Sequence, residues 1–141
     1  LIIEEDMENY FVDILTPDKV VAKDVPVKDI SVSTIKGEVN ILANHTHFIT
    51  NLLTGLMTLR CSDKDMYFTV ENGICKILGD KITILSSTSY AKDDIDSEKT
   101  QLEVSEINGT LSKTDLMSDE KIDDLYQRLE VLKSHLKIKS L

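Results

Sequence analysis

GICKILGDKITIL, residues 73–85, is a pair of short apolar runs on either side of Gly79-Asp80. In the second run Ile82 and Ile84 point one way and Lys81 and Thr83 the other, the period-two pattern of a strand with one buried face. Gly79 followed by Asp80 is the Gly-x pattern of a tight type II′ hairpin, whose first central residue needs a positive φ. The stretch predicts a β-hairpin, and the class of fold turns on whether its neighbours repeat that pattern.

Upstream they do. Asn72-Gly73 marks a reversal, since both residue types tolerate positive φ. Before it come MYFTVE, GLMTLRC, FITNLL, EVNIL, VKDISVS and KVVAK, and first of all YFVDIL at Tyr10–Leu15, which stops at Thr16-Pro17-Asp18. Proline fixes φ and makes that tripeptide a turn. Eight or nine β-type runs with no helix between them exclude a layered α/β sheet. The expectation is an all-β sandwich of eight to ten antiparallel strands over residues 10–91. Residues 1–9 read as an N-terminal extension or a cloning remnant, with Met7 a candidate natural start.

Downstream the period changes. KDDIDSEKTQLEVSEI, from Lys92, lacks alternation and offers Asp93, Asp94 or Asp96 as a helix N-cap, with Asn108-Gly109 as its end. A second helix follows Ser118, with Asp119 and Glu120 at its positive end and lysines in its last turns. Ile122, Leu125, Leu129, Leu132 and Leu136, spaced 3, 4, 3, 4, form a narrow seam suited to one partner helix. The first helix answers with a sparse stripe of Ile95, Leu102, Ile107 and Leu111. Residues 92–141 are therefore expected to be a helical hairpin, loosely docked. Its charge is divided: residues 93–120 carry nine acids against Lys99 and Lys113, net −7, while residues 126–141 carry Arg128, Lys133, Lys137 and Lys139 against Glu130, net +3. A solvated face matched to the helix dipole explains part of this, and an acidic partner surface would explain the rest.

Bulk properties narrow the function. The 141 residues are 41% hydrophobic, enough for one globular domain with an appendage. A net charge of −9 disfavours nucleic acid and anionic lipid, and 5% aromatic residues without Trp disfavour a base-stacking platform. Cys61 and Cys75 have no CxxC spacing and read as buried thiols in a reducing compartment. No apolar run approaches the roughly 20 residues that cross a bilayer, so no direct membrane insertion is expected.

The ordered set FVDILTP, GEVNILANHTHFIT, GLMTLR, FTVENGICKI, TILSSTSY and DIDSEKTQ resembles the ε subunit of F-type ATP synthases from Tyr10 to at least Gln101. The family's loop pattern, Gly-Glu-x-Gly-Ile-x-Pro-Gly-His-x-Pro-x-x-Thr, is met at Gly37, Glu38, Ile41, His45 and Thr50. Asn40 and Asn44 stand in for glycines of that pattern and Asn72 for the first of a Gly-Gly pair, replacements that tolerate left-handed backbone. Ala43 and His47 replace prolines, which implies a looser loop. The resemblance implies a non-catalytic central-stalk subunit, peripheral on the cytoplasmic face of a bacterial inner membrane. Gly37, Glu38, Val39 and His45 would dock on the γ subunit and the c-ring. The helical arm would reach the α and β catalytic subunits through Arg128, Lys133, Lys137 and Lys139 and inhibit ATP hydrolysis. Ile95 and Asp96 match part of the ATP motif of some members, but Lys99 and Thr100 replace its Arg and Ala, which implies at most a weak ATP contact at Ile95, Asp96 and Lys99 and no obligatory cofactor.

His45-Thr-His47 raises the enzymatic alternative. A jelly-roll metal site of that type needs a carboxylate four or five residues on, where Asn51 and Leu52 stand, and the only further histidine is His135 on the last helix. Two histidines without converging partners make no metal site, and no nucleophile–base motif or phosphate loop accompanies them. The rival non-enzymatic reading is a generic sandwich that oligomerises through its coiled-coil-like last helix.

Overall fold

The computed structural model describes residues 10–34, 37–42 and 47–141. Strands run over Tyr10–Leu15 (β1), Val20–Val27 (β2), Asp29–Thr34 (β3), Gly37–Leu42 (β4), Phe48–Leu52 (β5), Gly55–Arg60 (β6), Asp65–Val70 (β7), Gly73–Leu78 (β8) and Lys81–Leu85 (β9). They form two sheets, β2-β1-β9-β8-β5 and β4-β3-β6-β7. Helices follow at Ser97–Leu111 (α1) and Asp119–Lys139 (α2), each preceded by a one-turn 3-10 segment, Lys92–Asp94 and Thr114–Leu116. A β-sandwich with a helical hairpin is the expected class.

The β8–β9 hairpin pairs Leu78 with Lys81 around Gly79-Asp80. Gly79 has φ +66° and Asp80 has none of the positive φ that a type I′ turn would need, so the turn is type II′. Gly73 sits on the other boundary for a different reason: a Cβ there would lie 2.6 Å from Val70 Cγ1 and 3.3 Å from both Leu52 Cβ and the Leu85 carbonyl oxygen. The positive φ at that reversal belongs to Asn72, at 49°. Asn40 differs from expectation. It lies within β4 opposite Ser31, without a positive φ, and Gly37 (φ +105°) supplies the left-handed position instead. Asn44 and Ala43 lie outside the described residues.

One strand pairing departs from the antiparallel expectation. β1 lies parallel to β9, with Val12 opposite Ile82 and Ile14 opposite Ile84, and this pairing joins the start of the domain to its end. The others are antiparallel. Alternate residues of both sheets fill the interior, among them Val12, Ile14, Ile30, Met57, Leu59, Phe68, Ile77, Ile82 and Ile84.

β2 is longer than KVVAK suggested. It passes through Asp24, left-handed at φ 49°, where its register against β1 shifts. Asp13 accepts the Asp24 N–H at 2.8 Å and holds that bulge in place. Pro26 is tolerated because β2 is an edge strand.

α1 starts at Asp96, whose carboxylate accepts from the Glu98 and Lys99 amides, and α2 starts at Ser118, which accepts from Lys121. α1 continues past Asn108-Gly109 to Leu111. Leu102, counted in its apolar stripe, is 63% exposed; Val104, Ile107 and Leu111 make the contact with Leu125, Leu129 and Leu132 instead. The second helix is also more deeply seated than a single seam requires. Val131, Ser134, His135 and Ile138 are buried as well, and α2 lies against β6, β7 and the first 3-10 turn besides α1.

Candidate functional site

Glu38 and Val39 occupy β4, an edge strand of the four-stranded sheet. Glu38 is exposed, and its Oε1 accepts the Ser31 hydroxyl at 2.6 Å, so the carboxylate is oriented without being withdrawn from solvent. Val39 is exposed beside it. Gly37 opens the strand with its positive φ. His45 lies outside the described residues, and His47 is exposed just before β5.

The outer face of the five-stranded sheet is apolar and open. The register brings Leu15, Leu85 and Ile74 side by side across β1, β9 and β8. Phe11, Ile49, Ile74, Leu78 and Leu85 are all among the exposed large apolar side chains. The hairpin covers the opposite sheet, at β6 and β7. Among the described residues, the hairpin covers one broad face of the sandwich and leaves the other open.

Between hairpin and sandwich lies a cleft of about 360 Å³, lined by Tyr90, Asp96, Lys99, Glu103, Arg128 and His135 among others. Ile95, Asp96 and Lys99, expected as a partial ATP motif, meet there. Ile95 is buried, however, and Asp96 is engaged in capping α1. Arg128, expected at a basic tip, turns into the same region and grips Glu103 with both ends of its guanidinium, Nε to Oε2 at 2.6 Å and Nη2 to Oε1 at 3.2 Å. That pairing holds the Glu103 carboxyl below its ordinary range.

Lys133 and Lys137 also lie against the sandwich in the folded hairpin. With Glu130 and Ser134 they line a groove of about 260 Å³ shared with Ser33, Glu38, Thr54 and Leu56. Glu38 and two of the arm's lysines therefore face one groove. Lys139 is half-buried near the helix end, where Lys92 Nζ donates to the Leu141 carbonyl. Among the described residues no three His, Cys, Asp or Glu side chains converge as metal ligands would.

The match to known proteins decides the family. Residues 9–92 fit the model of the ATP synthase delta/epsilon chain β-sandwich domain. The chain belongs to the ATP synthase ε family. It is 34% identical over 104 residues to the chloroplast ATP synthase epsilon chain of Phalaenopsis aphrodite subsp. formosana, covering 72% of this chain and 75% of that one. It is 26% identical over 122 residues to the ATP synthase epsilon chain of Persephonella marina, covering 86% and 88%, a span too long for the sandwich alone. The fold resembles a chain of the Euglena gracilis mitochondrial ATP synthase OSCP/F1/c-ring assembly, with a TM-score of 0.76, 19% identity, and coverage of 92% of this chain and 80% of that chain. Bacterial and chloroplast ε chains match to a similar degree, so likeness alone does not assign a bacterial source. No described helix is long and apolar enough to cross a membrane.

Three positions that matter to this ε-family arm escaped the sequence reading: Tyr90, Glu103 and His135. A signal for the last was present. Val131, Ser134 and Ile138 repeat at helical spacing beside the leucine seam, which marks a second buried side of α2.

Proposed function

We propose that this chain is a non-catalytic rotor subunit that couples c-ring rotation to the catalytic head and restrains ATP hydrolysis with its helical arm. The sandwich docks on γ and the c-ring through the Gly37–Glu38–Val39 edge and His45, with the uncovered apolar sheet face extending the contact to γ. A close-packed double sheet transmits strain between partners instead of yielding to it. The arm folds down on β6 and β7; extended, it presents Lys133, Lys137 and Lys139 to acidic segments of the catalytic subunits. Such a protein sits on the cytoplasmic face of the membrane without inserting.

One observation carries this reading: the sandwich core is complete without the arm. Among the described residues, sixteen buried side chains form that core, and none of them comes from the arm. A body whose core does not include the arm can stay folded while the arm, seated through Val131, Ser134, His135 and Ile138 of α2, exchanges partners. The alternative, self-association through α2, is disfavoured because Val104, Ile107 and Leu111 already occupy its seam.

Co-purification with γ and the c-ring, with and without a Glu38→Gln, His45→Ala double substitution, tests the docking assignment. Reduced retention is expected, and unchanged retention would reject it. ATP is at most a weak ligand of the cleft, since Asp94, Asp96 and Glu103 oppose a triphosphate and Arg128 is already paired. Calorimetry should find no micromolar affinity, and finding it would overturn this point.

A further inference from the structure

His135 faces the inner side of the arm, 7% exposed, and its Nε2 is sealed from solvent without a hydrogen-bond partner. Its ring meets Tyr90 edge-on, with centroids 5.1 Å apart and planes at 70°. Tyr90 is itself tied to the sandwich. Its N–H donates to Thr69 Oγ1 at 3.0 Å, and its carbonyl accepts the Thr69 N–H at 3.0 Å. The His135–Tyr90 contact therefore fastens α2 to the β-domain directly, apart from the helix–helix seam.

A neutral imidazole suits this position and an imidazolium does not, because a buried charge needs partners. Several of the charged and titratable groups around it are engaged elsewhere. Arg128, on the same helix, is paired with Glu103 of α1. Asp96 caps α1, with Lys99 one turn on. Asp94 of the 3-10 turn lines the same cleft. Glu71, between β7 and β8, accepts from Thr88 at 2.7 Å. On the sandwich side, Lys19 Nζ lies over the Tyr90 ring at 5.7 Å. Burial, followed by Arg128, lowers the affinity of His135 for a proton; Glu71 and Glu103 oppose this without reversing it.

We propose that His135 is a proton-sensitive latch: neutral, it seats α2 on Tyr90, and protonated, it releases the arm from the sandwich. The proposal rests on the reading that the arm detaches. The released imidazole takes up a proton more readily than the docked one. Docking is therefore at full strength above the ordinary histidine value of about 6.5 and weakens as pH falls below it. Between pH 7.5 and 5.5 the ratio of open to docked arm rises by up to about tenfold. Asp, Glu and Lys at their ordinary values do not titrate in this window.

Backbone hydrogen exchange on the full chain at pH 7.5, 6.5 and 5.5, corrected for the intrinsic pH dependence of exchange, tests the latch. The opening constant of α2 amides from Leu129 to Ile138 should rise up to about tenfold on acidification, while β8 and β9 stay protected. His135→Gln and His135→Phe should each abolish that slope. A flat wild-type profile, or a slope kept in His135→Gln, overturns the latch. If α2 at pH 7.5 opens only with the global unfolding of β8 and β9, the detachable arm falls and the latch with it. Separate opening without a pH slope removes the latch alone.

Discussion

Asp13 is 5% exposed on a strand whose neighbours Val12 and Ile14 fill the core. Burial alone would raise its carboxyl pKa. The Asp24 amide, then Lys81 at 2.7 Å and Lys23 at 3.4 Å, outweigh that and hold it at about 2. A carboxylate with a depressed value contributes stability that is full above its ordinary value near 3.8 and is lost as pH falls through about 2. Asp13→Asn keeps an acceptor for the Asp24 amide and removes the charge. It should lower unfolding stability by about 1–2 kcal/mol at neutral pH, read as a lower urea midpoint. The variant should also lose that part of the wild type's acid sensitivity which lies between about pH 4 and 2. An unchanged midpoint would mean that the lysines contribute no net stabilisation.

At the scale of elements, the hairpin is joined by a short apolar seam and one forked ion pair. Arg128 and Glu103 are both partly exposed, so the pair contributes little to global stability. Its loss should nevertheless show in local opening. Arg128→Ala is expected to raise exchange from α1 about two- to fivefold, corresponding to about 0.5–1 kcal/mol, and Arg128→Lys should recover only part of this because it lacks the fork. Equal protection in both variants would show the seam to be sufficient alone. β1, β7 and β8 were legible because each carries buried apolar residues and ends beside a residue with special backbone needs, Pro17, Asn72 and Gly79 respectively. The parallel β1–β9 pairing was not legible, since alternation looks the same in either direction. The extent of α1 was misjudged at Asn108-Gly109, where a turn dipeptide is carried along inside the last helical turn. The Arg128–Glu103 pair could not be seen because it spans 25 residues and depends on the rotation of one helix about the other. The Gly37-Glu38 motif was legible as a local pattern, but the groove Glu38 shares with Lys133 and Lys137 appears only once the arm is folded.

The whole molecule has two unlike sides. One sheet presents open apolar side chains, and the other is covered by an arm that adds no side chain to the sandwich core beneath it. The first half of the arm repeats the acidic character of the chain and its last sixteen residues oppose it, so the proposed extension would carry a basic segment away from an acidic body. Electrostatics of that kind would direct a released helix toward acidic partners and weaken with salt. The measurement that tests the account most directly is ATP hydrolysis by the assembled complex, reconstituted with the full chain or with a chain ending at residue 91. The account predicts faster hydrolysis with the truncated chain and undiminished association with γ. Hydrolysis that is the same with both chains, while both remain bound, would contradict it.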